Sequence, residues 1–197
     1  MIYLIGGTSR VGKSTLAQII LERNSISSIS SDVIRNLLDS GPTKLGIAQL
    51  EENKRTEVFS PYFVQFLKIL QNRYSNYVVE GDIFTPEQVS LLQEKITLKC
   101  CFLGMSATNL EDLKKTDHRL NWIQNLSPEE KSKLSKSIVE GNWVSRLPEE
   151  EQAAIPQKLV QLSKEFEVAA AKYRFPYFDI YPDREKALES AYSALMF

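Results

Sequence analysis

The 197-residue chain is 43% apolar and 25% charged, and its 24 lysines and arginines against 25 aspartates and glutamates leave a net charge of -1. Such a length suits one domain, taken here as 1–197, and the composition argues against both disorder and a membrane class. Without a global field, neither nucleic acid nor an anionic membrane is an expected partner, and any anion must be held locally. Nothing in the pattern speaks to oligomeric state.

The first element in chain order is an apolar strand, Ile2 to Ile5, that reaches glycine at Gly6. It is too short for a signal peptide, and no run in the chain is long enough to span a bilayer, which points to a cytoplasmic protein. Gly7-Thr8-Ser9-Arg10-Val11-Gly12-Lys13-Ser14 follows and opens a helix from Ser14 to Arg23, with apolar Leu16, Ile19 and Ile20. A weaker strand is read at Ser25 to Ser30. Asp32 to Leu38 shows Val33, Ile34, Leu37 and Leu38 at helical spacing, after an aspartate that can cap the helix. Glu51 to Tyr74 has helical period, with a break predicted near Ser60-Pro61 by the proline. Its Phe59, Phe63, Phe66 and Leu67 form a core stripe, and Arg55 is assigned to its solvated face.

Tyr77 to Glu80 is the third strand, and Thr85-Pro86-Glu87-Gln88 starts a helix, with proline at the first position and an amide closing a capping box. Ile96 to Leu103 is the fourth strand. Within it Cys100 and Cys101 alternate to opposite faces, so no structural disulfide is expected. Met105 to Pro156 is polar, rich in Lys and Glu and without a strand candidate, and reads as a helical insert of about 105–156 over the sheet edge. It holds a second capped helix start at Ser127-Pro128-Glu129-Glu130, and excursions this long are often functional covers. Trp122 and Trp143 are assigned to its packing, and His118 has no cluster of metal-binding residues around it. Tyr177 to Ile180 is the last strand and Asp183 to Met196 the last helix. Short apolar strands alternating with helices predict an α/β fold built on a parallel sheet.

The glycine-bounded octapeptide carries the chemistry. A polyphosphate needs several donors converging on closely spaced oxygens, and backbone amides after a strand, running into a helix N-terminus, supply them. Gly7, Thr8, Ser9, Arg10, Val11, Gly12, Lys13, Ser14 and Thr15 are therefore the candidate nucleotide-binding residues of a phosphate-binding loop, or P-loop. Lys13 would place its ammonium between the terminal phosphates, the Ser14 hydroxyl would join a Mg²⁺ shell, and Thr15 can add a hydroxyl beside the first phosphate groups. The cation needs an acid from a neighbouring strand end. In Asn76-Tyr77-Val78-Val79-Glu80-Gly81-Asp82, Glu80 is placed to supply it, and Asp82 to face the second substrate; either carboxylate could instead only cap a turn.

Taken together, Ile2 to Thr15, Ser30-Ser31-Asp32-Val33-Ile34-Arg35 and Val78-Val79-Glu80-Gly81 resemble the nucleotide-kinase-like branch of the P-loop fold. Within it the likeness is greatest to 2-phosphoglycerate kinase and related small-molecule kinases, where a similar Glu-Gly strand ending precedes a proline, here Pro86. It covers about the first hundred residues and, less closely, Phe175 to Asp179 with the final helix. The resemblance implies a parallel five-stranded sheet in the order 2-3-1-4-5, ATP with Mg²⁺ at the loop, and phosphoryl transfer to a small-molecule acceptor beyond strand two. That acceptor would be a hydroxy acid, a sugar or a nucleotide. Asp32 and Arg35 would emerge at the carboxyl end of strand two, where open α/β sheets bind ligands. There Asp32 would accept or orient the acceptor proton, unless it only caps its helix, and Arg35 would fork onto a carboxylate or phosphate. The segment after strand four is implied to be a lid whose arginines neutralise the transferring group, with Arg119 and Arg146 as candidates and Arg10 inside the loop. Lys13, Asp32, Arg119 and Arg146 are thus the expected catalytic set. A nucleotide-dependent ATPase or switch, and a nucleotide-binding protein without catalysis, are the alternative readings.

Overall fold

Five strands form one parallel sheet: β1 (Ile2–Gly7), β2 (Ser28–Ser30), β3 (Tyr77–Glu80), β4 (Leu98–Gly104) and β5 (Tyr177–Asp179). They lie in the order β2-β3-β1-β4-β5, as the resemblance implies. The computed structural model describes residues 1–42, 44–50, 52–108 and 149–197. Within these the helices are α1 (Lys13–Asn24), α2 (Ser31–Ser40), α3 (Glu52–Arg73), α4 (Pro86–Gln93), α5 (Glu149–Lys172) and α6 (Arg184–Met196), with a 3₁₀ turn at Ile47–Gln49.

Alternation along the strands builds two cores, one on each face of the sheet. Ile2, Leu4, Val79, Cys100 and Phe102 join residues of α2, α3 and α4 on one face, where Phe59 stacks on Phe63 and Phe63 on Phe84. Ile5, Val78, Cys101 and Leu103 face the other way, toward Leu16 and Ile20 of α1 and Leu188, Ala191 and Leu195 of α6. The two cysteines therefore point apart, as the pleat requires, and both are free thiols. β1 sits between β3 and β4 with Ile5 opposite Glu80 and opposite Cys101. That register brings the acid at the end of β3 level with the loop that leaves β1.

Three expectations are corrected. The second strand is three residues rather than six, because Ser25 takes a left-handed conformation (φ 56°) and its amide closes α1 onto the Leu21 carbonyl. α3 does not break at Pro61 but runs through it. Proline forfeits one hydrogen bond there, but Pro61 is on the exposed face, where water can meet the freed carbonyl, while buried Phe59, Phe63, Leu67 and Leu70 hold both halves to one core. Likewise the insert's expected end at Pro156 falls inside α5.

Gly81 sets how closely α2 approaches β3. A methyl group on it would stand 1.7 Å from Ser31 Oγ and 2.8 Å from Ser31 Cβ, and Ser31 is fully buried. Gly81→Ala should lower stability by about 1–3 kcal/mol in urea melts, and adding Ser31→Ala should restore part of that loss. Equal stability of Gly81→Ala and the native protein would show that α2 moves freely against the sheet.

Candidate functional site

The loop from Gly7 to Gly12 is shaped by its backbone. Gly7 (φ 126°) and Gly12 (φ 91°) occupy the left-handed half of torsion space, and a methyl group on Gly7 would lie 1.9 Å from the Leu103 carbonyl oxygen. Arg10, with φ 72°, adopts the same region without a glycine's freedom, a local strain of the kind that collects at functional sites. Val11 is fully buried and pins the loop to the α1–α6 core. Gly12 is the N-cap of α1 and no side chain caps that helix, so its first amides keep their hydrogen-bonding capacity.

Lys13 is buried, and its ammonium donates to the Thr8 carbonyl at 2.6 Å. Burial lowers its pKa below the ordinary 10.5, against the opposing pull of Asp82, then Glu80, then Asp32. The lysine thus feels the charge of three acids drawn from two other parts of the chain. Ser14 Oγ donates to Glu80 Oε1 at 3.2 Å, and Ser9 Oγ to Asp82 Oδ2 at 3.0 Å. Both acids at the end of β3 are therefore tied by hydroxyl groups to the loop. Glu80 is buried, and the Ser14–Glu80 pair presents hard oxygen donors of the kind Mg²⁺ takes, so the residues present fit that ion.

The second cluster lies on the first two turns of α2. The cap is not Asp32, as one sequence reading allowed, but Ser30, whose Oγ accepts from the Asp32 amide at 3.2 Å. Asp32 is left with its carboxylate beside Arg35, 2.9 Å from a guanidinium nitrogen. Its side chain is half exposed, but Oδ1 is buried. Ser31 Oγ, Asp32 Oδ1 and Arg35 Nε are all buried without a hydrogen-bond partner. For Asp32 Oδ1 this means that its ion pair with Arg35 lacks hydrogen-bond geometry.

The structure brings Lys13, Ser14, Glu80, Asp82 and Asp32 together, with Arg35 paired to Asp32. Arg119 and Arg146, together with His118, Trp122 and Trp143, lie outside the described residues. Arg55 is not simply solvated, since it is partly buried and donates to the Leu50 carbonyl at 3.0 Å. Two participants were missed. Arg184 donates to Thr15 Oγ1 at 3.0 Å from the first turn of α6, and Ser163 of α5 shares a hydrogen bond with Thr8. No local signal marks either, because their partners are 169 and 155 residues away.

A parallel sheet in this order, with the glycine loop between β1 and α1, is the P-loop fold. A sugar kinase from Janibacter sp. HTCC2649 has the same fold at a TM-score of 0.57 and 13% identity, over 98% of this chain and 93% of that one. Shikimate kinase from Bacteroides thetaiotaomicron matches at a TM-score of 0.56 and 12% identity, over 100% and 99% of the two chains. No protein-family model matches the chain, and no curated protein matches its sequence. Among the described residues no helix is long and apolar enough to cross a membrane.

The Asp32 carboxyl is held above its ordinary 3.8, first by burial and then by Asp82, with Arg35 and Lys13 pulling it back. A carboxyl with a raised pKa binds more protons folded than unfolded, so ionising it costs stability as pH rises from 3.8 through the folded value. Asp32→Asn should therefore raise the melting temperature at pH 7 by up to about 2 °C, a small gain because the side chain is half exposed. The gain should vanish below the ordinary value, where both states are protonated. A lower melting temperature at pH 7 would show that the carboxylate is net stabilising.

Proposed function

We propose that this protein is a kinase that moves the terminal phosphoryl group of ATP, with Mg²⁺, onto a hydroxyl group of a small-molecule acceptor. The observation that carries the acceptor half is the Asp32–Arg35 ion pair on α2, 2.9 Å apart beside Lys13, in which Arg35 Nε is buried without a hydrogen-bond partner. Native proteins leave few buried polar groups unpaired, and ligands of open parallel sheets bind at the carboxyl ends of the strands, which supports an acceptor at this pair. An acceptor hydroxyl matches Asp32 Oδ1, and an acceptor oxygen matches Arg35 Nε.

In the nucleotide half, the amides of Gly7 to Ser14 hold the phosphates, Lys13 sets its charge at the terminal end, and Thr15 with Arg184 closes the other end. Ser14 and Glu80 would hold Mg²⁺, which when bound offsets charge on the phosphates. During transfer the acceptor oxygen bonds to the terminal phosphorus as the bond to the bridging oxygen breaks, and ADP leaves. The hydroxyl proton passes to Asp32, whose raised pKa makes it a stronger base than an ordinary aspartate. Asp82, hydrogen-bonded to Ser9, stands beside Lys13 and Asp32 and so links the two halves. Arg119 and Arg146 are assigned to charge neutralisation on the transferring group by the resemblance alone.

The test is ADP formation by the native protein across hydroxy acids, sugars and nucleotides, expected to rise with one of these acceptors. Lys13→Ala should lose ATP binding by calorimetry. Asp32→Asn should keep ATP affinity within about threefold and lose about 10²- to 10⁴-fold in turnover, the usual worth of a general base. ATP hydrolysis that no acceptor stimulates would favour the ATPase reading instead. Glu80→Gln should raise the Mg²⁺ concentration needed for half-maximal turnover, whereas an unchanged requirement would remove Glu80 from the cation site.

A further inference from the structure

Helix α5 carries a buried stripe at helical spacing, Ile155, Val160, Phe166 and Ala170, and within it sits one polar residue, Ser163, with no exposure to solvent. Val160 belongs to the core on the α1–α6 face and Phe166 to the core on the α3–α4 face, so Ser163 lies where α5 passes from one core to the other. A hydroxyl in such a place is unfavourable unless it is hydrogen-bonded, and alanine would pack there without that cost. Its partner is Thr8 Oγ1 at 3.0 Å, also fully buried.

Thr8 is the second residue of the phosphate loop. Its carbonyl receives the Lys13 ammonium at 2.6 Å, its predecessor Gly7 is wedged against the Leu103 carbonyl, and its successor Ser9 is bonded to Asp82. A hydroxyl fixed from behind by Ser163 therefore orients the peptide whose front holds the lysine. We propose that Ser163 is a positioning residue for the phosphate loop, acting through Thr8 to set the loop conformation that accepts a polyphosphate. Helix α5 thereby reports its own seating on the two cores to the loop. This inference rests on the reading of Gly7 to Ser14 as the nucleotide site.

Calorimetric titration with ATP and Mg²⁺, at a temperature well below unfolding, tests it on the full chain. Ser163→Ala should weaken ATP binding about three- to tenfold, the size of one hydrogen bond, while the circular dichroism spectrum stays native. A merely structural serine would change melting temperature without moving this affinity. Thr8→Val should weaken binding similarly, and Thr8→Val with Ser163→Ala should be no weaker than Thr8→Val alone, because one interaction is removed in either case. The double variant leaves neither hydroxyl without a partner, so it keeps the test open if Ser163→Ala alone fails to fold. ATP affinity of a folded Ser163→Ala or of the double variant within twofold of native, or additive losses in the two single variants, would overturn the proposal while leaving the loop assignment standing. Failure of the native protein itself to bind ATP would overturn both.

Discussion

The burial of the Lys13 ammonium is the constraint on which the site depends. A charge taken out of water costs several kcal/mol unless opposite charges and hydrogen bonds replace its hydration. The Thr8 carbonyl supplies one hydrogen bond, and Asp82, Glu80 and Asp32 supply the charge. Those three acids come from the end of β3 and the start of α2, so the lysine's compensation requires that both elements end beside the loop.

Each element meets that requirement by a local device. β3 reaches the loop through its parallel register with β1, which sets Glu80 opposite Ile5. α2 approaches because Gly81 has no side chain to collide with Ser31. Ser30 takes the capping role, so the Asp32 carboxylate is not spent on the helix end. The same devices bring the glycine loop and the Asp32–Arg35 pair together. The chemistry proposed here is thus a by-product of how one buried cation is neutralised.

Several departures from ordinary local rules lie in the glycine loop and on α2. Arg10 adopts a left-handed conformation, Asp32 is held toward its neutral form, and three buried polar atoms on α2 go without partners. The aromatic stripe stacks in the core and Thr85 and Gln88 form a full capping box, while Ser25, Lys44 and Arg174 also take left-handed backbone elsewhere in the chain.

Much was legible in the chain. The strand–glycine-loop–helix unit, all five strands, their order through the resemblance, and the meeting of Lys13, Ser14 and Glu80 follow from contiguous residues whose periodicity or spacing has a direct physical meaning. The run through Pro61 was not legible, because a proline's effect on a helix depends on which face it occupies and on what holds the two halves. Nor was the cap at Ser30 distinguishable from one at Asp32, since both residues cap well and only the observed turn chooses between them. Arg184 and Ser163 were out of reach for a simpler reason: each meets the loop across more than 150 residues of chain. Sequence alone therefore determined the fold class and the place of the glycine loop between β1 and α1, because these rest on local backbone chemistry. The tertiary structure decided which acids surround the lysine, which groups on α2 stay unpartnered and which distant hydroxyl steadies the loop, because only packing sets distances between residues far apart in the chain.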